Sequence, residues 1–272
     1  MNHSGWQEFG WDLFCRELAK SLTDHLPAFV LLSDTVKRLR DALNQMLPAG
    51  VAAGVDQITD QEVSFDYPEE EKQLAKALLK RRNEFITGRR CARKALEEIG
   101  FAPCALVSDE NRAPRWPEGV TGSISHSVVL GCAVVAQTDT IACLGVDLET
   151  TTRISSRVIK RVVHPLERDY VGKDPVRGSL IFSVKEAFFK AQFPIWNAWP
   201  NFDDLAFQES NLAGQLSVLK VADHLPGRLR SAIEKMHFRY AFFENYVLTL
   251  CWLDKLPADG GNQRYSGKPG KR

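Results

Sequence analysis

The chain predicts an α+β fold, and three features carry that expectation. Strand-like runs stand at 122–125, 128–136 and 141–149, the last alternating apolar and polar residues, and again near the C-terminal end. Helical periodicities stand before and between them. Helices and antiparallel hairpins then alternate in two comparable halves, which favours α+β over a doubly wound sheet.

The elements follow in order. Phe9, Leu13, Phe14, Leu18, Leu22 and Leu26 lie at helical spacing among charges, so residues 9–26 are predicted as an amphipathic helix packed on the body. Phe29–Leu32 and Val51–Val55 are short strand candidates. Pro68-Glu-Glu-Glu71 places acids where the helix dipole favours them and opens a long helix predicted to end at Gly100. Helices are expected at Arg157–Tyr170 and Ser179–Gln192. Strands are expected at Leu216–Val221, Phe238–Phe243 and Tyr246–Leu253, the last two joined by a Glu244-Asn245 hairpin. Beyond Leu256 the chain is rich in Gly, Pro and charge, a composition that predicts disorder.

Composition narrows the function. At 272 residues, with 44% hydrophobic and 25% charged residues, the chain is an ordinary globular protein of one large or two modest domains. A net charge of +1 offers no global field for nucleic acid. The six cysteines (15, 91, 104, 132, 143 and 251) are scattered without metal-ligand spacing, as expected of reduced thiols. Glu8 and Asp12 do not suit a signal peptide, and the apolar run Val128–Ala136 is far short of the ~20 residues of a membrane span. A cytoplasmic protein without a membrane partner is expected.

Three acidic residues carry the chemistry. In Cys143-Leu-Gly-Val-Asp-Leu-Glu149 the strand alternation puts Asp147 and Glu149 on one face. In Phe182-Ser-Val-Lys-Glu-Ala-Phe-Phe-Lys190, Glu186 and Lys190 are i,i+4 neighbours on a helix that is apolar on most sides. A solvated strand edge and a helix surface pair are the ordinary explanations. Charged groups on a mostly buried helix need partners, however, and an oxygen-liganded Mg²⁺ with a phosphate-bearing substrate would supply them.

Two basic clusters accompany the acids. Along Lys80–Lys94, Arg82, Arg89 and Arg93 fall within ~40° of one another beside the stripe of Leu78, Phe85, Ala92 and Leu96, with Arg81 at its other edge. They suit an anion-binding cleft or a solvated face whose arginine stems cover apolar surface; geometry alone leaves both open. Next come the Pro-punctuated loop Asn111-Arg-Ala-Pro-Arg-Trp-Pro117 and a strand ending in Ser125-His126. No glycine-rich phosphate loop is present, so phosphate would be held by side chains.

Taken in order, Arg-Arg-Asn-Glu-Phe-x-x-x-Arg, x-Pro-x-Trp-Pro-x-Gly-x-x-Gly-Ser-x-Ser-His, Gly-x-Asp-x-Glu and Phe-Ser-x-Lys-Glu-x-x-x-Lys resemble the 4'-phosphopantetheinyl transferases. The closest branch is the siderophore-synthase, enterobactin synthase component D-like type. The resemblance runs from about Leu47 to Leu253 and includes Asn201-Phe-Asp-Asp204. It implies a pseudo-twofold pair of similar α/β subdomains with the active site in the cleft between them. The expected division is an N-terminal extension at 1–46, partly helical, a coenzyme A-binding subdomain at 47–140, a Mg²⁺ and catalytic subdomain at 141–257, and a tail at 258–272.

Carried over by position, the resemblance makes Asp147, Glu149 and Glu186 the Mg²⁺ ligands and Lys190 the pyrophosphate contact. Arg81 and Arg89 correspond to the residues that hold the 3'-phosphate end of coenzyme A, which favours the anion site for these arginines. Asn111, Arg112, Ala113 and Pro114 correspond to the adenine loop, and Ser125 and His126 to a pair that reaches the phosphates. Phe182 stands where some branches have Trp, and Arg112 lies two places before Pro114 where some members have Lys directly before Pro. The implied reaction transfers phosphopantetheine from coenzyme A to a serine of an acyl or peptidyl carrier protein and releases adenosine 3',5'-bisphosphate. Glu186 is the candidate base, directly or through a water, and the chain is expected to act as a monomer. A Mg²⁺-dependent phosphohydrolase and a non-catalytic coenzyme A or carrier-protein binding module are the alternatives.

Overall fold

The computed structural model describes residues 30–152 and 155–255. The helix expected at 9–26 and the tail after Leu256 lie outside them. Two antiparallel sheets carry the fold. The first holds β1 (Val51–Gln57), β2 (Val120–Ser127) and β3 (Leu130–Gln137) in the order β1-β3-β2. The second holds β4 (Ile141–Thr150), β5 (Leu205–Glu209), β6 (Gln215–Val221), β7 (His237–Phe243) and β8 (Tyr246–Asp254) in the order β4-β8-β7-β6-β5. The helices are α1 (Val30–Met46), α2 (Pro68–Gln73), α3 (Leu79–Glu98), α4 (Ser156–Val162), α5 (Arg168–Val171), α6 (Pro175–Trp196) and α7 (Gly227–Ile233). None of the described helices is long and apolar enough to cross a membrane.

One topology occurs twice. In the first half β1 leads into α3, and the hairpin β2–β3 returns with β3 paired to β1. In the second half β4 leads into α6, and the hairpin β7–β8 returns with β8 paired to β4. The strands β5 and β6 and the helix α7 are insertions between α6 and that hairpin. Each half brings its long helix against its first strand at a glycine. A Cβ on Gly54 would lie 2.0 Å from the Cys91 carbonyl oxygen, and one on Gly145 would lie 2.0 Å from that of Ala187. Only a residue without a side chain allows that approach.

Apolar burial follows the same plan. Ala92, Ala95 and Leu96 of α3 pack with Ala133 and Val135 of the first sheet. Leu180, Val184 and Phe188 of α6 pack with Phe207, Val247 and Cys251 of the second. Between the sheets lies a third core in which Val55, Leu130 and Val134 meet Leu144, Leu148 and Leu250. Leu39, Leu43 and Met46 of α1 complete that central core. Polar contacts fix α1 in place: the Thr35 hydroxyl donates to Glu244 at 3.0 Å, and Arg239 donates to the Met46 carbonyl at 2.9 Å.

Four expectations are corrected. Residues 30–32 open α1 and are not a strand; a short apolar run has no period of its own, and the helical spacing of Leu39, Leu43 and Met46 decides it. The helix expected from Pro68 to Gly100 is two helices. Glu70 lies 2.7 Å from Arg93, and in a continuous helix those residues would be about 35 Å apart. Leu78, assigned to the apolar stripe, is the exposed residue that starts α3. The helix expected over 157–170 ends at Val162, because Pro165 holds His164 extended and restarts the chain as a 3-10 turn. Residues 205–209 and 227–233, for which no element was expected, form β5 and α7.

The glycine contacts lead to a prediction. Gly54→Ala and Gly145→Ala should each cost about 1–3 kcal/mol or more in urea unfolding, because backbone must move to admit the methyl group. Gly227→Ala, with open space around its Cβ position at the start of α7, should be neutral or mildly stabilising.

Candidate active site

β2 and β4 are edge strands of their sheets, and they face each other without a shared backbone ladder. Alternation along β2 turns Ser123, Ser125 and Ser127 toward β4. The Ser125 hydroxyl donates to Asp147 Oδ1 at 3.1 Å and accepts the Leu148 N–H at 3.1 Å. The Ser127 hydroxyl donates to Glu149 Oε1 at 3.2 Å. Residues 144, 146 and 148 of β4 turn into the central core, so Asp147 and Glu149 share the opposite face, toward α6.

Helix α6 completes the cluster. Ser183, Glu186 and Lys190 stand three and four residues apart and therefore share one face. The Ser183 hydroxyl donates to Asp147 Oδ2 at 2.8 Å, and Lys190 Nζ donates to Asp147 Oδ1 at 2.7 Å. Lys190 also reaches the Ser125 hydroxyl at 3.1 Å and the Val146 carbonyl at 3.2 Å. Burial would discharge its ammonium, but Asp147 and Glu186 outweigh burial and raise its pKa. Glu186 is 4% exposed. Burial first, then the negative charge of Asp147, push its pKa up to about 8, with Lys190 opposing and Glu149 reinforcing the shift.

Three buried carboxyl groups and one ammonium leave an excess of acid over base, and carboxylate oxygens are the donors a hard divalent cation prefers. Among the described residues no group of three His, Cys, Asp or Glu side chains is arranged to hold a metal ion; Asp147 is drawn to Lys190 and Ser183, and Glu149 to Ser127. Mg²⁺ does not need a closed cage, because it usually binds one or two carboxylates and keeps water or substrate phosphate in its remaining positions. The donor set therefore fits the ion.

The arginines part company. Arg93 is neutralised in the scaffold, with Glu70 at 2.7 Å and Asp66 at 2.5 Å. Arg82 lies over the Phe65 ring with Glu71 at 3.9 Å. Arg89 is 5% exposed and has no carboxylate partner among the described residues. It donates to the Leu106 carbonyl at 2.6 Å and the Ser108 hydroxyl at 2.9 Å, and it lies 4.1 Å from the Phe85 ring centroid. Burial lowers its pKa to about 10. A buried guanidinium held by neutral oxygens and a ring is suited to receive an anion.

Ser108 leads into the predicted adenine loop. It bridges to Pro114, and the Asp109 carboxylate accepts the N–H groups of Asn111 and Ala113, both at 2.9 Å. Arg112 at the tip has φ 66, an uncommon conformation for a residue with a side chain. Ser125 and His126, expected to act as a pair, leave β2 on opposite faces. Ser125 joins the acids, while His126 Nε2 lies 3.1 Å from Arg81. Glu84 lies 3.5 Å from Arg81 and 3.9 Å from His126, so the strand separates the acidic cluster from a mixed one.

Lys185, inside the same short motif as Glu186, points away from the seam. It donates to Glu167 at 2.7 Å, the Phe202 carbonyl at 2.8 Å and the Val162 carbonyl at 2.9 Å. Glu167 also accepts the N–H groups of His164 and Phe207 at 2.7 Å each. Phe182 stacks on Phe202, with centroids 5.8 Å apart, so Asn201–Asp204 secures the back of α6. Ser127, Ser183 and Ser108 were not among the expected site residues. The first two were within reach: Ser123-x-Ser125-x-Ser127 has the period of Asp147-x-Glu149, and Ser183 shares the helical face of Glu186 and Lys190.

Known proteins are similar to this chain in sequence. The family model described as 4'-phosphopantetheinyl transferase N-terminal domain matches residues 69–136, and that of the 4'-phosphopantetheinyl transferase superfamily matches 143–251. The 4'-phosphopantetheinyl transferase Svp of Streptomyces mobaraensis is 34% identical over 70% of this chain and 79% of its own. Enterobactin synthase component D of Salmonella typhimurium is 31% identical over 65% of this chain and 74% of its own. For PptT of Mycobacterium tuberculosis the figures are 36%, 50% and 62%, so the match spans less than two thirds of that relative. The solved holo-[acyl-carrier-protein] synthase of Thermotoga maritima overlaps 44% of this chain and 67% of its own at 23% identity and a TM-score of 0.33, too small a likeness to carry an argument. The chain belongs to the 4'-phosphopantetheinyl transferase superfamily, in its siderophore-synthase type.

The two lysines of α6 can be told apart by stability. Lys185→Ala leaves Glu167 buried and unpaired, so unfolding free energy should fall by about 3–5 kcal/mol in urea titration. A loss below about 1 kcal/mol would show that the Lys185–Glu167 pair does not hold the scaffold together.

Proposed function

We propose that this chain transfers the 4'-phosphopantetheine group of coenzyme A to a serine of an acyl or peptidyl carrier protein. The carrying observation is the gathering of Asp147, Glu149 and Lys190 around the buried Glu186 carboxylate, with Lys190 paired to Asp147, where the two halves meet. Arg89, buried without a carboxylate, supports a second anion contact for the 3'-phosphate, with Arg81 beside it and Asn111–Pro114 bordering the adenine.

The carrier serine Oγ attacks the β-phosphorus of coenzyme A. The bond to the bridging oxygen breaks, and adenosine 3',5'-bisphosphate leaves with that electron pair. Lys190, held at the strand edge by Asp147 and the Val146 carbonyl, offsets charge growing on the pyrophosphate oxygens. Glu186 takes the serine proton, directly or through a water. Mg²⁺ held by Asp147, Glu149 and Glu186 supplies further positive charge at the pyrophosphate when bound. Both clusters lie on one polypeptide, which supports action as a monomer.

Intact-mass measurement of a carrier protein incubated with coenzyme A and Mg²⁺ tests this. One phosphopantetheine should be added, and none to a carrier whose serine is replaced by alanine. Asp147→Ala or Glu149→Ala, and excess chelator with the wild type, should abolish the addition while circular dichroism stays native. Full turnover in chelator would overturn the metal assignment.

Arg89→Ala should raise the KM for coenzyme A about tenfold or more, as expected for loss of a charge-assisted hydrogen bond, and leave dephospho-coenzyme A much less affected. Equal losses for both ligands would make Arg89 a structural residue.

A further inference from the structure

The short helix α2 lies outside both clusters, yet it grips the segment on which Arg89 rests. The Gln73 amide pairs with the Ser108 peptide in both directions. Its Oε1 accepts the Ser108 N–H at 2.8 Å, and its Nε2 donates to the Ser108 carbonyl at 2.8 Å. Two antiparallel hydrogen bonds from one planar amide fix the position and the rotation of the peptide they hold, as a strand partner would. The Ser108 hydroxyl in turn accepts Arg89 Nη2 at 2.9 Å. Ser108 also closes the Asn111–Pro114 loop through its bridge to Pro114.

One turn earlier, Glu70 does the same two residues upstream. Its Oε1 accepts the Leu106 N–H at 2.8 Å, and the Leu106 carbonyl accepts Arg89 Nε at 2.6 Å. Both acceptors of Arg89 are thus pinned from α2. Glu70 is fully buried and also pairs with Arg93, so its loss would disturb folding. Gln73 is exposed and does nothing for the apolar core.

We propose that Gln73 is a positioning residue for coenzyme A: by clamping the Ser108 peptide it aims the Arg89 guanidinium at the 3'-phosphate and sets the loop beside the adenine. This rests on the transferase function proposed above. The guanidinium has many rotamers, and a hydrogen-bond acceptor selects among them only if its own backbone is fixed.

The test is equilibrium binding of coenzyme A and dephospho-coenzyme A by calorimetry, without carrier, for the wild type, Gln73→Ala, Ser108→Ala and the double variant, with thermal unfolding measured on each. Gln73→Ala should keep the wild-type melting temperature within a few degrees and weaken coenzyme A about threefold to tenfold, the range of one or two hydrogen bonds. The ratio of the two dissociation constants should fall toward one. Ser108→Ala should lower that ratio too, and the double variant should be no worse than the poorer single one, because both changes break one connection. An unchanged ratio in Gln73→Ala, or strictly additive losses, would overturn the proposal. A wild-type chain that bound both ligands equally would instead remove the 3'-phosphate assignment of Arg89, and this inference with it.

Discussion

Two sheet edges meet here through side chains instead of through a backbone ladder, and the placement of every charged group at the site depends on that. An open edge normally invites another strand. On β4 the Leu148 N–H is taken by Ser125 and the Val146 carbonyl by Lys190. Because hydroxyls span the gap, the carboxylates of β4 can turn toward α6 while staying buried. A continuous ladder would have joined the sheets without needing serines, and would have left Lys190 no carbonyl to rest on.

Cations on the two long helices sort by the partners the scaffold gives them. Lys185 and Arg93 meet buried carboxylates, Glu167 and Glu70, and each pair ties distant segments to its helix. Arg89 meets a carbonyl, a hydroxyl and a ring, which satisfy its donors in part, and Glu70 acts on its charge only from a distance. Equal residue types a few positions apart are therefore not equivalent. A buried ion pair is costly to break and tolerates no exchange of partners, whereas a cation with no carboxylate in contact is open to a ligand.

That sorting limits what the sequence could disclose. The shared face of Asp147 and Glu149, and the Glu186–Lys190 pair, follow from periodicity and were legible. So were β2, β4 and the β7–β8 hairpin, and β3 as a short bounded apolar run. Whether Arg82, Arg89 and Arg93 acted alike was not legible, because their partners come from α2 and residues 106–108, and no local pattern announces a chain reversal that carries Glu70 back to Arg93. The opposite facing of Ser125 and His126 could have been read from strand period, but the family motif presents them as neighbours in sequence and hides it. Thr249, bonded to Ser183 at 2.9 Å, needs the β4–β8 register before its place is known.

Helix α1 lies before the region matched by the family models, yet its apolar face belongs to the core that both sheets share. Its ends are tied to the same hairpin of the second half, through Glu244 and Arg239, while Leu39 and Leu43 pack in a core that includes Val55 and Leu130 of the first. Neither half can open without stripping cover from the other. The consequence is cooperativity: although the chain repeats one topology twice, its halves are bound to melt as a single unit, with calorimetric and van't Hoff enthalpies in agreement. A ligand held between them then stabilises the whole chain at once.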